Sequence, residues 1–176
     1  MPTIFTHAVV PLAIAAAAGR GHISPKLAIV GAVFAIVPDA DVVGFRFGIE
    51  YAHEWGHRGA THSIVFAAAC SGALALVWKE ARSLTALAFL TLAMASHGLL
   101  DTLTNGGLGA ALWWPFDDAR IFAPHTPVRV SPIGAGFFSM RGVETLWSEL
   151  RWIWVPCVAL AFAGCGLRRA MRADAA

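Results

Sequence analysis

Charge is scarce in this 176-residue chain, where Asp, Glu, Lys and Arg together make up 14% against about 25% in an average soluble domain. A soluble globular class is excluded on that ground. The charge that is present is nearly balanced, 13 basic against 11 acidic residues, without the clustered Lys and Arg of a nucleic-acid footprint. Nucleic acid is not an expected partner. Cysteine is equally sparse. Cys70, Cys157 and Cys165 lie inside apolar runs without CxxC spacing, which excludes a disulfide framework or thiolate metal site and predicts three small buried hydrophobes. Pro and Gly show no period, so collagen-like and low-complexity classes are excluded too.

What the chain has in abundance is apolar sequence, 57% of all residues, with a mean hydropathy of +0.64. Crossing a bilayer core takes roughly 20 apolar residues in a helix. Five stretches come near that length, at 5–18, 27–43, 60–78, 84–100 and 152–167. The expected fold is therefore all-α, one membrane-embedded domain over 1–176 built as a bundle of about four to five transmembrane helices. The bilayer is its first partner. Residues 5–18 are read as a span rather than a cleaved leader, because no Lys or Arg precedes them and His7 interrupts the apolar run.

Basic residues set the orientation. With five spans, Arg20, Lys26, Lys79, Arg82, Arg168, Arg169 and Arg172 all fall in three short segments on one side. The other side receives a thinner distribution, Arg46, Arg58, Arg120, Arg129, Arg141 and Arg151. The dense side is expected to be cytoplasmic, which places the N-terminus and segment 101–151 outside.

That orientation used Lys and Arg alone, yet it sorts the His and Asp residues as well. His7 opens the first span, Asp39 and Asp41 close the second, His57 and His62 open the third, and His97 and Asp101 close the fourth. All seven fall at the extracytoplasmic ends. Ionisable groups at the edge of a bilayer cost a few kcal/mol each unless they pair, line water or bind ions. Imidazole beside carboxylate is a ligand set suited to zinc and other divalent metals.

The individual motifs carry different weights. His97 and Asp101 are spaced i, i+4, one turn apart on one helix face. They read either as a chelating pair or as a hydrogen-bonded helix end. Pro38-Asp39-Ala40-Asp41 places two carboxylates in a turn, as a solvated terminus or as a ligand with a general base or orienting carboxylate. In His57-Arg58-Gly59-Ala60-Thr61-His62-Ser63, Thr61 is a candidate N-cap, and Arg58 can clamp an anionic oxygen or anchor in headgroups. His22, His53 and His125 are read as loop residues, Asp117 and Asp118 as a turn. Trp113 and Trp114 are read as an interfacial aromatic belt around the site's opening.

Taken together, Thr6-His7, Pro38-Asp39-Ala40-Asp41, His57-Arg58-Gly59-x-Thr61-His62-Ser63, Ser96-His97-x-Leu99-Leu100-Asp101 and Trp114-Pro115-Phe116 resemble the YdjM family of bacterial inner-membrane proteins, described as metal-dependent hydrolases. The likeness covers about residues 3 to 165. More distantly, the order of His and Asp resembles the zinc-dependent phospholipase C group, an all-helical fold with a zinc cluster. That likeness implies His7, Asp39, His57 or His62, His97 and Asp101 as ligands. The group's later His and His-x-x-x-Glu ligands have no counterpart after Asp101, so one or two ions are expected rather than three.

The resulting expectation is a multi-pass inner-membrane hydrolase acting on a lipid or lipid-linked ester or phosphoester. A divalent metal, zinc foremost, would be held by His7, Asp39, His62, His97 and Asp101, with His57 as a further ligand. Asp41 is the candidate general base or orienter and Arg58 the candidate for stabilising negative charge. The rival classes are a metal transporter or sensor, disfavoured by the lack of polar groups at the span ends near Ala18, Leu27, Trp78 and Leu84, and a structural protein with a metal-free His/Asp network.

Overall fold

The computed structural model describes residues 1–132 and 134–174. Five apolar helices form the body. α1 is Ile4–Ala18, α2 Pro25–Phe34, α3 Ile64–Val77 and α4 Leu84–Thr102. α5 runs without a break over Met140–Ala173, with a π turn at Leu150–Trp154. Among the described residues there is no strand, only the isolated bridges Thr104–Val128 and Ala110–Ile121. The fold is an all-helical bundle.

Local chemistry sets the helix starts. Ser24, Ser63 and Ser83 each accept a hydrogen bond from the backbone N–H three residues on, opening α2, α3 and α4. Ser63 is thus the cap of α3, and Thr61 is not. Thr61 sits in a short 3₁₀ turn, Ala60–His62, and its hydroxyl is used elsewhere. After Ala35 the chain tightens into a 3₁₀ helix, Val37–Phe47, with Pro38 in its first turn.

Among the described residues, three helical segments are long and apolar enough to cross a membrane, Pro25–Phe47, Leu84–Thr102 and Met140–Ala173. α1 and α3 are shorter, 15 and 14 residues, about 21–23 Å at 1.5 Å per residue. α4 is the central helix, contacting α1, α2 and α3. Its Phe89 and Leu90 pack with Leu27, Ile23 and Ala86 at one end of the bundle. α5 packs along α1, where Gly164 lies against Ala17 and lets the two backbones approach. Most of its apolar side chains remain exposed, the surface a lipid-facing helix presents. Cys70, Cys157 and Cys165 are free and only half-buried, not enclosed; Cys70 packs at the edge of the cluster of Ala67, Met94 and Ala95, and Cys157 at the edge of that of Leu100, Val128 and Ile153.

Two segments close one end of the bundle. Residues 48–62 fold over α3 and α4, and residues 103–132 fold over them in turn. Ala111 N–H donates to the Arg58 carbonyl, Ile64 N–H to the Leu112 carbonyl, and the Arg120 guanidinium to the carbonyls of His57 and His53. Val128 is buried against Leu100 and Ile153. This cap lies over the helix ends that carry the His and Asp residues.

Candidate metal centre

Four side chains from three parts of the chain converge beneath the cap. Asp39 comes from the 3₁₀ helix after α2, His62 from the turn before α3, and His97 and Asp101 from α4. One ligand atom from each lies within 4.8 Å of all the others, and all four residues are buried. His97 Nε2 is 3.2 Å from Asp39 Oδ1 and 3.9 Å from Asp101 Oδ2. His62 Nε2 is 3.7 Å and 3.4 Å from the same two oxygens. Atoms held about 2.0–2.2 Å from a tetrahedral zinc lie about 3.3–3.6 Å apart. The two nitrogens and two oxygens bracket that spacing.

Each imidazole is turned to leave Nε2 as a lone pair. His97 Nδ1–H donates to the Ala35 carbonyl at 2.7 Å. His62 Nδ1 is 3.0 Å from Thr61 Oγ1 and 3.3 Å from Asp41 Oδ2, while Thr61 Oγ1 donates to Asp41 Oδ2 at 2.8 Å. A partner on one ring nitrogen fixes tautomer and orientation and raises the basicity of the other. Asp41 is the hub of this support. It also accepts from the Arg58 backbone N–H at 3.2 Å and from His57 Nδ1–H at 2.8 Å. His57 is thereby drawn to Asp41, and its Nδ1 stays 3.9 Å from Asp39. Asp41, His57 and His62 form a second, overlapping group of close ligand atoms.

His7 joins from α1. Its ring stacks on His97 with centroids 3.7 Å apart and planes 14° apart. Nε2 lies 3.9 Å from Asp101 Oδ1, the oxygen turned away from His62 and His97. Arg58 is fully buried in a left-handed conformation, φ 67°, rarely adopted without cause by a non-glycine residue. There its Nη1 donates to the Gly106 carbonyl and its Nη2 to Thr104 Oγ1, while Nε lies 3.1 Å from Asp101 Oδ2. Three of its nitrogens thus tie the cap to the centre.

The arrangement has a hydrogen-bond deficit. Of the buried side-chain N and O atoms without a hydrogen-bond partner among the described residues, nine belong to His7, Asp39, Arg58, His62, His97 and Asp101, and one to Arg168. Buried polar atoms are ordinarily paired, so this concentration marks a place where a partner belongs. Asp39, Asp41 and Asp101 carry three negative charges and Arg58 one positive, leaving two, the charge of one divalent ion. Donor set, spacing and charge all fit a divalent metal.

The chain belongs to the YdjM inner membrane protein family. The match to that family covers residues 1–173. The chain is also 40% identical over 164 residues to the inner membrane protein YbcI of Escherichia coli strain K12, covering 91% of this chain and 95% of the relative. No solved structure matches. Family membership and the apolar helices make this YdjM-family chain a multi-pass inner-membrane protein. The names carry no reaction.

Every residue singled out in the sequence for metal or catalysis is near this centre. Others had no signal there. Ala35 contributes only a carbonyl, which sequence cannot mark. Gly98 lies between His97 and Asp101, and a Cβ on it would collide with the His62 carbonyl and the Leu112 side chain. Its lack of a side chain lets the His62 turn dock on α4. Glu149, fully buried in α5, accepts from Thr3 N–H at 2.5 Å and from the Thr3 and Thr6 hydroxyls at 2.6 Å each, while Trp154 Nε1–H donates to Thr6 Oγ1. This network clamps the start of α1 beside His7. At the cap, half-burial raises the Tyr51 phenol above its usual range, so it stands against His57 as a neutral ring.

Two substitutions test the supports rather than the ligands. Asp41→Asn keeps the shape but weakens the acceptor for two imidazoles, and a loss of about 10–100-fold in metal affinity is expected, read by competition with a chelating dye. Gly98→Val forces the His62 turn away from α4. Metal binding is expected to fall as far as in a ligand variant, whereas Gly72→Val, where a Cβ meets open space, leaves it unchanged.

Proposed function

We propose that this YdjM-family protein is a membrane-bound metal-dependent hydrolase acting on a lipid or lipid-linked ester or phosphoester. The observation that carries the reading is the set of nine buried polar atoms without a hydrogen bond, on six residues that share one centre. His62, His97, Asp39 and Asp101 would hold the ion, zinc in the first instance. His7, on the outer oxygen of Asp101, would extend the set towards a second ion. A bound divalent metal supplies Lewis acidity, bringing the pKa of a water towards about 7 and polarising the bond under attack.

The chain's own residues divide the remaining work. Asp41 holds His57 and His62 in register and, with both oxygens occupied, acts as an orienter rather than as a free base. His57 keeps its Nε2 for proton transfer while Asp41 holds Nδ1–H. Arg58 sets a fixed positive charge beside Asp101, where negative charge develops. The cap of residues 48–62 and 103–132 keeps bulk water out.

A lipid substrate is supported by a groove that reaches Asp39 from the side of the bundle. This groove, of about 490 Å³ between α1 and the end of α2, is lined by Ile4, Val33, Ile36, Val37 and Ala40, with Asp39 as its polar residue. Val33, Val37 and Ile4 are exposed on the surface that faces acyl chains in a bilayer. A chain lying in this groove brings its headgroup linkage to Asp39. The dense basic end would be cytoplasmic by its Lys and Arg, which puts the centre on the extracytoplasmic side.

The test is hydrolysis of ester and phosphoester lipids by detergent-purified protein, with chelator and with Zn, Mn or Fe resupplied. Chelator-sensitive release that metal restores is the expected outcome. Val33→Trp is expected to raise KM about tenfold for a long-chain lipid, from the lost burial of about two methylenes, and to leave a short-chain analogue unchanged. A metal-loaded, folded protein that cleaves neither class of lipid overturns the reading.

A further inference from the structure

A second concentration of charge lies at the other end of the bundle, where α1 and α5 end side by side. A cavity of about 460 Å³ opens there, lined by Gly19, Arg20, His22, Arg168, Met171 and Arg172 among others. No Asp or Glu lines it. Glu80 accepts from the Ser24 hydroxyl, and Asp174 lies past the cavity residues of α5.

Arg168 is built into this cavity rather than waving from its edge. The guanidinium lies across Gly19, where a Cβ would meet Nε at 2.7 Å. Gly19 has φ +81°, a conformation that side chains other than glycine's disfavour. Nη2 donates to Cys165 Sγ at 3.2 Å, a weak acceptor. Nη1 is sealed from solvent and has no acceptor among the described residues. It is the one unpartnered buried polar atom named above that lies outside the His/Asp centre. A buried cationic donor left without an acceptor is costly, and three guanidiniums around one cavity can be satisfied together by an oxyanion with several acceptor oxygens.

We infer that this cavity is a phosphate-binding site for the headgroup of an anionic phospholipid. It sits where the apolar parts of α1 and α5 finish, the depth of the leaflet's phosphates. It also lies at the end dense in Lys and Arg, the end that anionic lipids favour. Arg168 supplies the fixed fork, Arg20 and Arg172 close on the phosphate from two chain segments, and Met171 offers an apolar wall to the glycerol and upper acyl chain. The site is independent of the metal centre and of any hydrolytic activity.

The experiment is lipid binding to the full chain in detergent by native mass spectrometry, offering phosphatidylglycerol, phosphatidylcholine and inorganic phosphate separately. Wild type is expected to hold one phosphatidylglycerol selectively. Arg168→Gln and the double variant Arg20→Gln/Arg172→Gln are each expected to weaken that binding by about tenfold or more, the effect of losing a charge-assisted hydrogen bond. Arg169→Gln, a neighbouring arginine outside the cavity, is expected to leave it unchanged. The double variant keeps the test valid should Arg168→Gln fail to fold. Displacement of the lipid by millimolar inorganic phosphate, with the same dependence on Arg168, would assign the site to free phosphate and overturn the lipid headgroup. Equal loss in Arg169→Gln and Arg168→Gln, or equal retention of phosphatidylcholine, overturns the site altogether.

Discussion

Alanine at His97 or at Asp101 is expected to abolish metal binding, taking detergent-purified protein from one or two equivalents per chain to below about a tenth of that. Each removes one of four atoms that bracket a tetrahedral site, and the remaining three cannot close around an ion buried this deeply. Loss of an orienting partner alone costs about 10–100-fold in affinity, so loss of a ligand lies beyond that. His62→Ala and Asp39→Ala belong to the same class. His7→Ala does not, since its Nε2 reaches only the outer oxygen of Asp101, and it is expected to lower the stoichiometry or affinity while leaving one ion bound. Elemental analysis across the five variants reads this order directly. Thermal melts give a second readout. An ion at about a hundred times its Kd stabilises the folded state by about 2.7 kcal/mol, so added zinc raises the wild-type melting temperature and leaves that of His97→Ala unmoved. Folded wild type that takes up no Zn, Mn or Fe would make the centre a hydrogen-bonded network instead.

Replacing Arg58 by Met is expected to cost about 3–5 kcal/mol of stability in metal-free protein, the usual effect of removing one partner from a buried ion pair. Met keeps much of the volume, so the loss reports charge and hydrogen bonds. Asp101 would lose the guanidinium that lies 3.1 Å from its Oδ2, and Gly106 and Thr104 would lose the donors that tie the cap down. With metal bound, the ion compensates Asp101, and the penalty is expected to shrink. Melting temperatures of wild type and Arg58→Met, with and without zinc, check this. An equal penalty in both states would mean that Arg58 serves the cap alone. Lys at this position is expected to restore little, because an ammonium cannot span Asp101, Thr104 and Gly106 as the planar fork does.

The two carboxylates at 39 and 41 illustrate where sequence reasoning stops. Their proximity in the chain suggested a shared task, as ligand and base or orienter. In a 3₁₀ helix each residue turns by about 120°, so residues two apart point about 240° around the axis. Asp39 faces His97 and His62, and Asp41 faces His57, Thr61 and the far side of His62. That division required knowing that Pro38 opens a 3₁₀ helix rather than a loop or an α-helical turn. The capping of α3 turned on a similar local choice between two hydroxyls, Thr61 and Ser63, and the one nearer the apolar run capped the helix while the other bonded Asp41.

By itself the sequence determined the medium and the inventory. Its shortage of charge and its apolar runs require a bilayer, the i, i+4 spacing puts His97 and Asp101 on one face, and the alternation of spans gathers these His and Asp residues at one end and the densest Lys and Arg segments at the other. These follow from composition and helix periodicity, which act over a few turns of chain. The tertiary structure decided which atoms meet. Glu149 bonds Thr3 and Thr6 across more than 140 residues, Ala35 orients His97 through a carbonyl, Gly98 admits the His62 turn, and Gly19 makes room for Arg168. Such contacts are made by backbone atoms, by absent side chains and by partners remote in sequence. Only the packing of α2 and the His62 turn on α4, and of α5 on α1, brings them together, because close contact there depends on helix rotation and depth, which neither hydropathy nor spacing encodes.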